Sequence, residues 1–229
     1  MFEASKTQRV RGERFSAKYF SGTVLDIGCG PDLVVPHAQP FDLYHGDANR
    51  IVEFLPSEIQ YDCVHSSHCL EHMRDVPNAL SQWWSLVKPG GYLVLVVPHE
   101  DLYEQGVWPS IFNADHKATF RLDGTESWSP VSYELKTLLE RLPGAELIEA
   151  AIQDQGYDYS LHKNGLSTLA RAALFIGRAN RSIMRRAGID RPGLERALTM
   201  IEWRLGKPID QTLGDALAQI QAVVKKRPA

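Results

Sequence analysis

Apolar positions along the chain follow two patterns that alternate from one segment to the next. Short apolar runs predict strands, and apolar positions three or four residues apart predict helices. The predicted strands lie at 23–27, 41–45, 61–67, 92–97, 146–152 and 218–224. The predicted helices lie at 4–20, 75–87, 131–142, 166–187 and 194–205. Strands that alternate with helices predict an α/β sandwich on a mostly parallel sheet.

The last two predicted strands read as a hairpin that two helices interrupt. We therefore expect one domain over 1–160, with the helix at 4–20 at its start, a helical insertion over 161–207, and the last strand of the same sheet within 208–229. Charge follows the same division. Residues 1–160 hold 12 Lys and Arg against 23 Asp and Glu, a net charge of −11, whereas 161–207 hold 10 against 3, a net charge of +7. This asymmetry indicates an anionic partner for the insertion alone.

Composition excludes several classes of protein. The chain of 229 residues is 44% hydrophobic and 23% charged, which is typical of a globular domain. The longest apolar run, 92–98, is too short to span a bilayer, and the first residues do not resemble a secretory signal. The three cysteines, Cys29, Cys63 and Cys69, do not form a disulfide framework, so we expect a cytoplasmic protein.

A glycine-rich turn follows the first predicted strand. Gly28-Cys29-Gly30 lets the backbone approach a ligand, and a helix after it would offer free N–H groups to an anionic group. Asp47 lies 17 positions after Gly30, where a carboxylate can accept hydrogen bonds from the ribose hydroxyls of a nucleoside cofactor. The alternative is a tight turn followed by a solvated aspartate.

Four segments in this order resemble the class I S-adenosylmethionine-dependent methyltransferases. They are VLDIGCG, YDCVHSSHCLEH, DVPNALSQWWSLVKPGG and YLVLVVPHEDLY, and they cover roughly residues 20–105. The third glycine of the family's Gly-x-Gly-x-Gly is replaced by Asp32. The resemblance implies a Rossmann-like sheet with an antiparallel last strand, and S-adenosylmethionine as the cofactor. The stretch between Gly30 and Tyr61 is short for the family, so its second and third strands are expected to be shortened or in part lost.

The resemblance also implies roles by position. Asp26 would orient the glycine turn and the cofactor amino group, while the turn itself would line the methionine part. Asp47 would hold the ribose or, given the shortened region, the adenine. The remaining cofactor residues would lie at the carboxyl edge of the sheet, and they are Ser66, Ser67 and His68.

Histidines and cysteines cluster around the third predicted strand. His65, His68 and His72, with Cys63 and Cys69, have spacing that could suggest zinc. Alternation along a strand, however, sends Cys63 and His65 to the face opposite Val64 and Ser66, so the five groups would not converge. We predict no metal site from this pattern.

The long polar loop after the strand at 92–97 carries the candidate acid–base and substrate residues. Loops at the carboxyl ends of parallel strands carry function in this architecture. A hydroxyl acceptor must lose its proton, and histidine is well suited to accept it, so His99 and His116 are the predicted catalytic residues. The predicted substrate residues of this loop are Tyr103, Asn113 and Asp115. The alternative is a surface loop whose His and Asp side chains bridge locally.

The sequence thus predicts a methyltransferase that acts on a small-molecule or glycan hydroxyl, such as a sugar of a surface polysaccharide. In the basic insertion, Arg185 and Arg186 are predicted to select an anionic acceptor or to contact an anionic membrane surface; the alternative is a solvated helix face. A nucleic-acid methyltransferase is disfavoured by the acidic body and by the lack of an Asn-Pro-Pro-Tyr-like motif. A non-catalytic binding module is disfavoured by the intact Asp26, Gly28 and Gly30.

Overall fold

The computed structural model describes residues 3–124, 126–186, 188 and 192–228. Its helices are α1 (Glu3–Tyr19), α2 (Val76–Ser85), α3 (Leu135–Glu140), α4 (Thr168–Arg186) and α5 (Pro192–Arg204). Its strands are β1 (Val24–Ile27), β2 (Gln39–Phe41), β3 (Tyr61–Ser67), β4 (Val87–Pro98), β5 (Thr119–Arg121), β6 (Ser132–Glu134), β7 (Ala145–Gln153) and β8 (Gln219–Lys226). Short helical turns lie at Ala48–Glu53, Leu70–His72, Glu100–Glu104 and Gln211–Leu213.

Six strands form the central sheet in the order β2-β1-β3-β4-β8-β7. The pairs β1–β2, β1–β3 and β3–β4 are parallel, and β8 runs antiparallel to both of its neighbours. The predicted α/β class, mostly parallel with an antiparallel last strand, is confirmed. The region between β1 and β3 is short as expected, since it holds only the three-residue β2 and one helical turn.

Each face of the sheet is covered by helices, and β3 shows how the residues divide. Val64 belongs to the larger core, which packs against Trp83 of α2. Cys63 faces the other side and packs with Tyr19 and Phe20 at the end of α1. Two-residue alternation along β3 therefore separates the two layers as predicted.

The segment after the glycine turn differs from the prediction. Residues 28–38 form turns and contain no helix. Asp26 Oδ2 accepts a hydrogen bond from the Val34 backbone N–H at 2.7 Å, which folds the segment back onto β1. Pro31 and Pro36 also oppose a helix in so short a stretch. The second strand, predicted at 41–45, lies instead at Gln39–Phe41.

Two further elements have other bounds than predicted. Of the helix predicted at 131–142, only α3 is helical, because residues 132–134 form β6 and pair in parallel with β5. Residues 88–91, predicted as the stop after α2, lie within β4, where the pairing with β3 shifts register.

The insertion between β7 and β8 consists of α4 and α5, which pack against each other. Several of its apolar side chains are exposed: Leu169, Phe175, Ile176, Ile183, Met200, Ile201 and Trp203. No helix in the described part of the chain is both long enough and apolar enough to cross a membrane.

Candidate active site

Two adjoining cavities open at the carboxyl ends of β1, β3 and β4. The first has a volume of about 390 Å³ and the second of about 640 Å³. Both are lined by Gly28, Asp42, His68 and His72, which stand between them. Ligands of open α/β sheets bind at this edge.

The glycine turn forms one wall of the first cavity. Gly28 has φ 75° and Gly30 has φ 53°, a conformation that L side chains rarely adopt. A Cβ atom at Gly28 would lie 2.6 Å from Cβ and Sγ of Cys69, whereas one at Gly30 would meet no atom within 4 Å. The backbone of Gly30 is therefore open to a ligand. Cys29 also lines this wall, and burial raises the pKa of its thiol to about 11.

Asp26 borders the first cavity, but both of its oxygens have protein partners. Besides the bond from Val34, Asp26 Oδ1 lies 2.7 Å from Nδ1 of His65. Nε2 of His65 lies 3.4 Å from the guanidinium of Arg11, and burial lowers the pKa of His65. Since neutral His65 donates its one ring proton to Asp26, this network supports the expected role of Asp26 in orienting the turn.

Two aspartates line the second cavity. Asp47 caps a helical turn, and its Oδ1 accepts from the backbone and side-chain amides of Asn49 at 2.9 and 2.7 Å. These bonds hold the pKa of Asp47 below its usual value. Asp42, which the sequence analysis did not select, directly follows β2 and lines both cavities. Its Oδ2 accepts from the Gly30 N–H at 2.6 Å.

The end of β3 contributes unequally to the cavities. Ser66 is buried, and its hydroxyl donates to the Ile27 carbonyl at 3.0 Å, so its role is structural. Ser67 and His68 line the first cavity. The Ser67 hydroxyl is buried and has no hydrogen-bond partner in the described part of the chain.

The loop after β4 closes the first cavity with Tyr103, Phe112, Asn113 and His116. Nδ1 of His116 lies 2.6 Å from Oε1 of Glu104, and its ring lies 5.2 Å from that of Tyr103. Asp115 lines the second cavity and pairs with His72 Nδ1 at 2.9 Å. Asp115 and His116 thus pair with other residues.

The sequence profile of the methyltransferase domain family matches residues 4–159. This chain belongs to that family. It is an enzyme of class I, and S-adenosylmethionine is its methyl donor.

Solved structures of methyltransferases share the fold. A S-adenosylmethionine-dependent methyltransferase from Archaeoglobus fulgidus is 19% identical, with 99% of this chain and 95% of that chain covered and a TM-score of 0.50. Phosphoethanolamine N-methyltransferase 2 from Haemonchus contortus, in complex with phosphomonomethylethanolamine and S-adenosylhomocysteine, is 14% identical over 98% of this chain and 52% of that chain, with a TM-score of 0.49. No protein of curated function matches the chain significantly.

His99 of this methyltransferase lies apart from the other predicted site residues. The described lining of the two cavities does not include it; it borders a separate cleft with Glu100, Asp101 and Trp128. Its Nδ1 accepts from the backbone N–H groups of Asp101 and Leu102 at 3.2 and 3.4 Å, which caps the turn at 100–104. The geometry therefore favours His116 over His99 as a catalytic residue.

The basic insertion also lies apart. None of the described residues of 161–207 lines either cavity. The segment that leads back into β8 does, through Asp210, Thr212 and Leu213. Arg186 is exposed, and the side chain of Arg185 lies outside what the structure describes. The expectation that 161–207 packs beside the cofactor site is thus not met by the described residues, because α4 and α5 pack mainly on each other.

Sequence reasoning passed over three acidic residues at this site. Asp42 was placed inside a strand that in fact ends before it. Glu71 and Glu104 are buried, at 0% and 1% exposure, and both lie beside His116. A glutamate between two apolar or aromatic positions was the only signal in the sequence, and it could not name a partner.

Proposed function

We propose that this methyltransferase binds S-adenosylmethionine across the two cavities and methylates a hydroxyl of a small molecule or glycan held in the first. The observation that supports it most directly is the convergence of Gly30, Ser67 and His116 on one cavity of about 390 Å³. A space of that volume suits a small acceptor.

The residues present fit the cofactor. The second cavity offers apolar walls, Phe41, Ala48 and Met73, which suit a purine ring, with Asp47 at its edge. Asp42, between the cavities, is placed to accept hydrogen bonds from ribose hydroxyls. We therefore assign Asp42 to the ribose and Asp47 to the adenine. The open backbone of Gly30 and the unpartnered Ser67 hydroxyl are left for the methionine portion.

His116 is the residue that we propose to accept the acceptor's proton. Its Nδ1 is held by Glu104, so a neutral ring presents the lone pair of Nε2. When bound, S-adenosylmethionine supplies a methyl carbon that takes the lone pair of the acceptor oxygen while the carbon–sulfur electron pair stays on sulfur. The hydroxyl proton passes to Nε2 of His116. Tyr103, Asn113 and Asp115 would shape the acceptor side of the cavities.

Transfer of labelled methyl groups from S-adenosylmethionine tests this function. The assay panel contains small-molecule alcohols, sugars and oligosaccharides, with RNA, DNA and peptides as the competing classes. We expect label on a hydroxyl compound, and a loss of turnover of about 10²–10⁴-fold in His116→Gln. The control is His37→Gln, an exposed histidine outside both cavities, which should keep wild-type turnover. Label found on nucleic acid or peptide alone would contradict the proposal.

A further inference from the structure

Three histidines surround one buried carboxylate at the junction of the two cavities. Oε1 of Glu71 lies 3.6 Å from Nδ1 of His68, 4.0 Å from Nε2 of His72 and 4.0 Å from Nε2 of His116. Glu71 has 0% of its surface exposed. Within the described part of the chain, neither of its oxygens has a hydrogen-bond donor at normal distance. A buried carboxylate in this condition is costly unless a positive charge lies beside it.

The other ring nitrogen of each histidine faces an oxygen acceptor. Nδ1 of His116 lies 2.6 Å from Glu104, and Nδ1 of His72 lies 2.9 Å from Asp115. Nε2 of His68 lies 2.9 Å from Oε1 of Gln219. These oxygens only accept, so each histidine donates its ring N–H to them. The nitrogen that faces Glu71 is then a lone pair in each neutral ring.

The centre of the cluster therefore collects acceptors. Ligand atoms of Glu71, His72 and His116 all lie within 4.8 Å of one another. Lone pairs and a carboxylate repel each other across such distances unless a cation lies between them. Ligands bound at about 2.1 Å to a common ion are separated by roughly 3–4 Å. The observed separations from Glu71 fall in this range.

The surroundings of the cluster are those of a metal site. Histidine ligands in proteins commonly donate their second N–H to a carboxylate or carbonyl, which fixes the ring and raises its basicity. Glu104 and Asp115 do this for His116 and His72. Imidazole and carboxylate together favour divalent first-row transition ions. Because His72 lines both cavities and His116 the first, an ion there would keep one side open to an acceptor.

We infer that Glu71, His72 and His116, with His68 beside them, bind a divalent transition-metal ion such as Zn²⁺ or Mn²⁺ at the floor of the acceptor cavity. The sequence analysis had expected no metal, because it weighed His68 and His72 against Cys63 and His65 and did not include Glu71 or His116. The ion would hold the acceptor oxygen and lower the pKa of its hydroxyl, whose proton then leaves to water. This last step rests on the proposed function; the binding of the ion does not.

Metal binding is tested without cofactor or acceptor. The full chain is stripped with a chelator and then titrated with Zn²⁺, Mn²⁺, Fe²⁺ and Co²⁺ by calorimetry, with the Co²⁺ visible spectrum recorded. We expect one ion per chain. Glu71→Gln, His72→Gln and His116→Gln should each weaken binding at least tenfold, and Glu104→Gln by about 10–100-fold through loss of its support to His116. His37→Gln, which lies outside the cluster, should bind like the wild type.

Circular dichroism of each stripped variant shows whether it is folded, and only folded variants are compared. The inference is overturned if folded wild-type protein binds none of the four ions, or if the three ligand variants bind them as tightly as the wild type. If no ion binds while His116→Gln still abolishes turnover, the metal fails and the proton-acceptor role of His116 stands. If the ion binds and no hydroxyl compound is methylated, the site stands and the proposed acceptor class fails.

Discussion

Substitution of Gly28 should cost stability before it affects the cofactor, and Cys69 is the reason. A Cβ atom at Gly28 would lie 2.6 Å from both Cβ and Sγ of Cys69, so something must shift. Overpacking of this kind costs typically about 1–3 kcal/mol. The left-handed backbone at φ 75° adds about 1–2 kcal/mol for any L side chain. We expect Gly28→Ala to lower the free energy of unfolding by about 2–5 kcal/mol.

Two other variants separate the contact from the backbone strain. Gly30→Ala carries only the strain, because a Cβ there meets nothing within 4 Å, so it should lose about 1–2 kcal/mol. In a Cys69→Gly background, both clashing atoms are gone and the nearest remaining atom is the Cα at 3.8 Å. Gly28→Ala should then cost only the strain, which gives a coupling of about 1–3 kcal/mol between the two positions.

Urea unfolding followed by tryptophan fluorescence measures these energies, since Trp83 and Trp84 are buried beside the sheet. A Gly28→Ala protein within 0.5 kcal/mol of the wild type (roughly the scatter of surface substitutions) would refute the argument. So would a coupling of zero with Cys69→Gly. Gly30→Ala is then the better probe of the cofactor site, because its methyl group enters the cavity.

Three further predictions concern single side chains. Asp42→Asn should weaken binding of S-adenosylhomocysteine by about 1–3 kcal/mol in calorimetry, and unchanged affinity would remove Asp42 from the ribose site. Asp62 accepts hydrogen bonds from Thr23 and Lys88, which lower its pKa to about 2. Because its folded pKa is depressed, its contribution is present above pH ~4 and lost as the pH falls towards about 2; with 43% of the side chain exposed we expect about 1 kcal/mol, visible as a shallower acid dependence of unfolding in Asp62→Asn. His99→Ala should lower stability by about 1 kcal/mol through loss of its cap and leave turnover within about twofold, so a collapse of turnover in a folded variant would restore it as a catalytic residue.

Much of the fold could be read from local patterns. The buried runs that became β1, β3 and β4 lie within a few residues of their predicted bounds, and the alternation along β3 separated Val64 from Cys63. The glycine turn was placed correctly at the end of β1. These features depend on residues that are neighbours in sequence, so their periodicity records which side of an element is buried.

Local patterns misplaced elements that depend on a distant partner. The helix predicted to begin at 131 begins at Leu135, because residues 132–134 find β5 as a pairing partner. The turn after Gly30 has no helix, since Asp26 binds the Val34 N–H. The shift of β2 hid Asp42, whose position after the strand gives it access to both cavities.

The sequence by itself therefore determined the class of the fold, the family and the edge of the sheet where the site lies. Tertiary structure alone decided which side chains meet there. His116 joins Glu104 and Glu71, 12 and 45 residues away, and His68 joins Gln219, 151 residues away. Periodicity gives the direction of a side chain relative to its own helix or strand. It contains no information about which other element lies opposite, because that is fixed by the path of the chain between them.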